Sequence, residues 1–243
     1  MLYVCFTYAA DLPLLSLSAA RIRELDPASI IYAIEDAGAP LGASVPGVRI
    51  LRSTAPRNGN LNGLAQLSAE LHAFCGLMNR HGADYIIKFD ADTWCNDLGP
   101  FLQTVPVDGR PVPDYLAAEN WQAFRPSGNI YRVSRWLVKR LLAMYEARTH
   151  RREWPPSYSY PEDVSVWGLA CLTRLPLELI PFTTGFSVGM TDGGPGTNAA
   201  CVQAGVVHCG EPTSTGERAS REHVALRMRL LKFEIESNLY GQN

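Results

Sequence analysis

The segment that most constrains the fold is DYIIKF, residues 84–89. It is apolar with little alternation, as a strand covered on both faces requires, and two acids, Asp90 and Asp92, stand directly behind it. Such a strand belongs in a layered sheet with helices on either side, and the rest of the chain agrees: runs rich in β-branched and aromatic residues alternate with stretches of helical period. Strands are expected over 2–8 (LYVCFTY), 29–34 (SIIYAI), 48–51 (VRIL), 114–119 (DYLAAE) and 177–182 (LELIPF), with a short strand and turn over 206–210 (VVHCG). Helices are expected from an Asp11 cap through Leu25, over 64–80, from a Ser134 cap to about Arg148, over 161–172 with Pro161 in the first turn, and over roughly 217–239. Polar or Gly- and Pro-bearing connections fill 57–63, 96–113, 150–161 and 183–200, and no repeat or linker divides the chain.

Composition narrows the function. With 47% hydrophobic residues over 243 positions, the chain buries a sizeable core and fits one large domain. Its 22 Lys and Arg are offset by 24 Asp and Glu, a formal charge of −2, so there is no general basic field to attract nucleic acid or an anionic membrane. An anionic partner would be held by a local site, for instance through a metal. The N-terminal MLYVCFTYAADLPLL has no basic n-region, and Asp11 interrupts its apolar run well short of the roughly 18 residues of a membrane span. The six cysteines include no C-x-x-C pair, which fits free thiols in a reduced, cytoplasmic setting.

In an open α/β sheet, ligands collect beyond the carboxyl ends of the strands. Asp90 and Asp92 stand at such an end, where two carboxylates hold a hard divalent cation and leave coordination sites for water and nucleotide phosphates. Eleven Asp give a chance D-x-D in about one of two such chains, so the position behind DYIIKF carries the information rather than the motif. The alternative is an acidic turn in which Asp92 or Asp97 caps the next segment. Glu162 and Asp163 fall in the first turn of an expected helix, where acids complement the helix dipole; a carboxylate at the mouth of a sheet also serves as general base toward a hydroxyl. His208 is placed either to meet an Asp90/Asp92 metal or to fill a structural role. Trp121, Trp136, Trp154, Tyr158 and Tyr160 offer a surface for stacking a sugar ring, or else core.

Four of these segments resemble the GT-A fold glycosyltransferases, and within them the inverting β-1,3-glycosyltransferase and Fringe-like group. YIIKFDADTW is similar to that group's strand and D-x-D, SGNIYRVSRWLVKRL to its small-residue loop and helix, PEDVSVWGLACL to its E-D-V-x-x-G helix, and VVHC to its late histidine segment. They stand in the family's order and span most of residues 1–210, with E-D-V before Trp167-Gly168 the more specific match. Ala91 departs from the three successive acids common in the group.

The resemblance implies a single α/β domain with a GT-A type, Rossmann-like mixed sheet flanked by helices. In it, 1–95 would be the nucleotide-binding half, 96–215 the acceptor and catalytic half and 216–243 a closing helix. It implies a metal-dependent transfer from a nucleotide-sugar, UDP-linked, to an acceptor hydroxyl with inversion. Asp92 would coordinate Mn2+ or Mg2+ on the diphosphate, with Asp90 on the metal or the ribose and His208 as third protein ligand. Asp163 is the implied general base, with Glu162 beside it as fallback. Thr7 and Asp36 are implied nucleoside contacts, and Ser127, Gly128 and Asn129 would line the pocket. The acceptor would be a glycan, a lipid-linked or a small-molecule alcohol; neither nucleic acid nor a transmembrane segment is expected, and peripheral attachment to a membrane stays open. The Gly-rich 185–196 would close over the donor or be an ordinary surface loop. A nucleotidyltransferase is the rival enzyme, disfavoured because FTYAADLPLL lacks a Gly-rich, basic loop; a degenerate nucleotide-binding domain is the non-enzymatic rival.

Overall fold

The structure, a computed structural model, describes residues 1–53, 63–120, 125–154, 162–180, 205–210 and 220–240. The Gly-rich segment 183–200, nearly all of the 57–63 loop, Trp121, Tyr158, Tyr160 and Pro161 lie outside the described residues.

The first half alternates strand and helix: β1 (Leu2–Thr7), a 3-10 turn (Ala9–Asp11), α1 (Leu12–Leu25), β2 (Ile30–Glu35), β3 (Val48–Arg52), α2 (Gly63–His81) and β4 (Tyr85–Phe89). The second continues with β5 (Thr93–Cys95), a one-turn α3 (Gly99–Leu102), β6 (Tyr115–Asn120), β7 (Arg125–Ser134), α4 (Arg135–His150), α5 (Glu162–Cys171), β8 (Leu177–Ile180), β9 (Val206–His208) and α6 (Arg221–Tyr240). Among the described residues the strands form a seven-stranded sheet in the order β3-β2-β1-β4-β7-β6-β8, with β5 and β9 as a separate ribbon. The β3-β2-β1-β4 portion is parallel, β7 runs antiparallel to both β4 and β6, and β8 is parallel to β6. This is the expected α/β mixed sheet with flanking helices.

Both faces are covered, and strand alternation divides the core accordingly. Leu2, Val4, Phe6 and Ile86 pack with Leu71 and Phe74 of α2, Leu137 of α4 and Val166 of α5. Tyr3, Cys5, Ile87 and Phe89 pack on the other side with Leu15 and Ile22 of α1 and Met228 and Leu231 of α6. Strand β4 is therefore apolar on both faces except at Lys88, which is 2% exposed.

Four local features differ from expectation. Asp11 precedes α1 without a side-chain capping bond; its Oδ1 accepts instead from Arg221 Nε of α6 at 2.6 Å. The segment containing Gly128 and Asn129, expected as a loop, belongs to the ten-residue β7. The turn-rich 96–113 contains α3, and four residues after Phe89 the chain already forms β5. By contrast Ser134 caps α4 as expected, its Oγ accepting from Leu137 N at 3.0 Å. No described helix is long and apolar enough to cross a membrane.

Candidate active site

Three segments far apart in sequence meet at the carboxyl end of β4. The antiparallel register pairs Phe89 with Ile130, so Asp90 lies beside Asn129 and donates its N–H to the Asn129 carbonyl at 2.8 Å. The D-x-D turn is pinned by its own backbone and by α1. Thr93 N donates to the Asp90 carbonyl at 3.0 Å, and Ser18 Oγ of α1 lies 2.7 and 2.8 Å from the Ala91 and Thr93 carbonyls. Ala91 points into the core beside α1, so an acid in its place would be buried without water; this accounts for the departure from three successive acids.

Period-two alternation sends Lys88 and Asp90 to the same face. Lys88 Nζ donates to Asp90 Oδ1 at 2.7 Å and to the Gly128 carbonyl at 2.6 Å. The first turn of α5 arrives at the same place. A methyl group at Gly128 would lie 2.1 Å from Asp163 Oδ2 and 2.7 Å from its Cγ, so the Asp163 carboxylate occupies the space that a glycine leaves. Asp163 makes no hydrogen bond or ion pair among the described residues. The nearby Tyr115 hydroxyl is buried without a hydrogen-bond partner among them; burial drives its pKa well up, and the negative charges of Asp163 and Glu70 add to that shift.

The ribbon supplies the third segment. Thr93 pairs with His208, and Cys209 N donates to the Asp92 carbonyl at 2.9 Å, so the backbone of His208 lies alongside the D-x-D. The side chains of His208, Glu162 and Ser127 lie outside the described residues. Thr7 and Asp36 end β1 and follow β2, on the same rim as Asp90. Both are buried, Thr7 at 1% and Asp36 at 6% exposure, and Asp36 Oδ1 accepts from Gly38 N at 2.7 Å within its own turn.

Among the described residues no three His, Cys, Asp or Glu side chains converge as metal ligands. The donor chemistry present, two carboxylates one residue apart with a histidine backbone alongside, suits a hard divalent cation such as Mn2+ or Mg2+. Of the five aromatics offered as a stacking surface or core, the described ones, Trp136 and Trp154, lie away from this rim. Trp136, 61% exposed, follows Ser134, which pairs with Tyr85 at the opposite end of β4, about 20 Å along β7 from Gly128. Trp154 packs against Tyr145 and under Arg148. Lys88 escaped the sequence reading because it sits inside an apolar run, yet its K-x-D spacing on a strand already placed it beside Asp90.

A parallel half-sheet extended by an antiparallel strand, with D-x-D at the end of its central strand and a two-stranded ribbon alongside, is the GT-A glycosyltransferase architecture. Solved structures that share it include an active-site mutant of LgtC, with 12% identity, a TM-score of 0.55 and 96% of each chain covered. A galactosyltransferase LgtC in complex with donor and acceptor sugar analogues has 11% identity and a TM-score of 0.52, covering 96% of this chain and 95% of that one. A glycosyltransferase involved in glycosylation of the major capsid of PBCV-1 has 10% identity and a TM-score of 0.52, covering 94% and 98%. At these identities the likeness is one of fold. No family model matches the sequence, and no curated protein sequence matches it significantly.

Proposed function

We propose that this protein is a glycosyltransferase that moves a sugar from a UDP-linked donor to an acceptor hydroxyl with inversion, Mn2+ or Mg2+ assisting. The observation that carries this reading is the Asp163 carboxylate, without a hydrogen-bond or ion-pair partner among the described residues, held against Gly128 on the strand that also holds Asp90. A base that accepts a proton from an attacking alcohol needs an uncommitted carboxylate at the rim where the donor lies. Asp163 meets that requirement, with Glu162 beside it as fallback. In a single displacement the hydroxyl attacks the anomeric carbon from the face opposite the leaving group, and a base on that face accounts for inversion.

Asp92 and His208 would hold the cation, with Asp90 on it or on the ribose; when bound, it neutralises charge on the departing diphosphate. Thr7 and Asp36 would contact the nucleoside, and Ser127, Gly128 and Asn129 would line the donor or acceptor side of the pocket. The kinship with the β-1,3 and Fringe-like group rests on the D-x-D, SGNIYRVSRWLVKRL, E-D-V and VVHC segments alone. The acceptor is a glycan, a lipid-linked alcohol or a small molecule, met in the cytoplasm.

Calorimetric titration of UDP with and without Mn2+ tests the donor site. Metal-dependent binding is expected in the wild type and its loss in Asp92→Ala, whereas metal-independent binding, or none across UDP, GDP, CMP and dTDP, would overturn the reading. Asp163→Asn is expected to keep that binding and lose transfer. Proton NMR of the newly formed glycoside reads the anomeric outcome directly.

A further inference from the structure

Lys88 is a buried charged group that the proposed chemistry leaves without a task. It occupies the fourth position of β4, a strand whose other described neighbours are apolar core. An ammonium taken out of water is tolerated only where partners replace its hydration, and each partner of Lys88 is informative. Asp90 Oδ1 accepts from it at 2.7 Å and the Gly128 carbonyl at 2.6 Å, while the Tyr131 ring lies beneath, 5.6 Å from Nζ to the ring centre. The Tyr131 hydroxyl in turn donates to Glu70, which is buried on α2. Gly128, whose carbonyl the ammonium holds, is also the residue whose missing side chain makes room for Asp163. One buried cation is therefore fastened on one side to the first acid of the D-x-D and on the other to the backbone against which Asp163 rests.

We propose that Lys88 is a positioning residue that holds Asp90 and Asp163 at a fixed separation, bridging Asp90 to the Gly128 carbonyl from beneath the rim. The proposal rests on the transfer reading above and adds the element that sets the spacing between the donor-side acid and the base. With its Oδ1 held by the ammonium, Asp90 offers a divalent ion less negative charge than it would unpaired.

Lys88→Met keeps the length of the side chain and removes the charge. The expected result is a split: transfer kcat falls about 100-fold, the loss that a misplacement near 1 Å produces, while the Kd of UDP with Mn2+, to which Asp90 contributes, rises by less than about tenfold. A purely structural lysine would not produce that split in protein that remains folded, and equal kcat in variant and wild type would overturn the proposal. Should Lys88→Met fail to fold, Lys88→Arg retains the charge on a wider, planar head that cannot meet both acceptors at the same spacing. It is expected to fold with kcat lowered, and wild-type kcat there would likewise overturn the proposal. Crystal structures of wild type and whichever variant folds give the separation of the Asp90 and Asp163 carboxylates without any substrate. An unchanged separation sinks the positioning role whatever the activity, whereas a wild type that neither binds nucleotide nor transfers sugar sinks the functional reading and leaves this measurement in force.

Discussion

Gly128 shows how much of the rim depends on a single absent side chain. Its Cα faces Asp163 so closely that a methyl group would meet Oδ2 at 2.1 Å, well inside van der Waals contact, and the carboxylate would have to leave. Gly128→Ala is therefore expected to lower transfer by about 100-fold while nucleotide affinity stays within about threefold, a split read by steady-state kinetics beside calorimetry. Buried ionisable groups elsewhere set the behaviour in alkali. Burial pushes the Cys95 thiol up to about 12 from 9.0, and it raises the Tyr3 and Tyr115 hydroxyls above their ordinary 10.0. In the unfolded chain these groups lose protons from about pH 9 upward while the folded protein keeps them, so the unfolded state binds fewer protons and stability falls as pH rises. Urea midpoints at pH 8, 9.5 and 10.5 should decline in that order; a flat profile would mean that these groups ionise as readily in the folded protein as in the unfolded one.

At the scale of the elements, the sequence is legible where periodicity and burial agree. Strand β4 announces itself because both its faces are core, and α4 because Ser134 caps it and Leu137 and Leu141 share a buried face. Strand β7 hides because it opens on Arg125-Pro126-Ser127-Gly128-Asn129, a composition typical of loops, and becomes a strand only through pairing with β4 and β6. That tertiary pairing turned Ser127, Gly128 and Asn129 from an expected loop into a strand edge beside Asp90, and no local signal carries it. Asp11 misleads for a similar reason: it has the right residue type for a cap, but α6 brings Arg221 to its carboxylate. The cap that does form is testable, since Ser134→Ala removes both the bond from Leu137 N and the hydroxyl bond to Asp114. A loss of about 1–2 kcal/mol in urea unfolding is expected. Trp136→Ala, in the first turn of α4, should leave both stability and transfer within about 0.5 kcal/mol of wild type.

Across the whole molecule, the rim is held by its last elements as much as by its first. Helix α6 grips α1 and the turn before it through Lys232 with Glu24 and Arg221 with Asp11, each at 2.6 Å, and Arg227 Nη1 donates to the Cys209 carbonyl at 2.9 Å. Cys209 N in turn holds the Asp92 carbonyl. The two surface pairs contribute little, but the buried Arg227 bond to a carbonyl belongs to the stronger class of hydrogen bonds. Arg227→Ala is expected to cost about 2 kcal/mol in thermal unfolding and to weaken Mn2+-dependent UDP binding, although Arg227 lies behind the ribbon rather than on the rim. Unaltered nucleotide affinity would show that α6 does not brace the D-x-D. The ribbon has one more consequence, for the chain during its synthesis. Strands β1 to β4 and both acids of the D-x-D leave the ribosome more than a hundred residues before β9, so a nascent polypeptide carries the acidic turn before it has the Cys209 N–H that holds the Asp92 carbonyl. On the proposed reading, the cation site is therefore complete only once translation has passed Cys209.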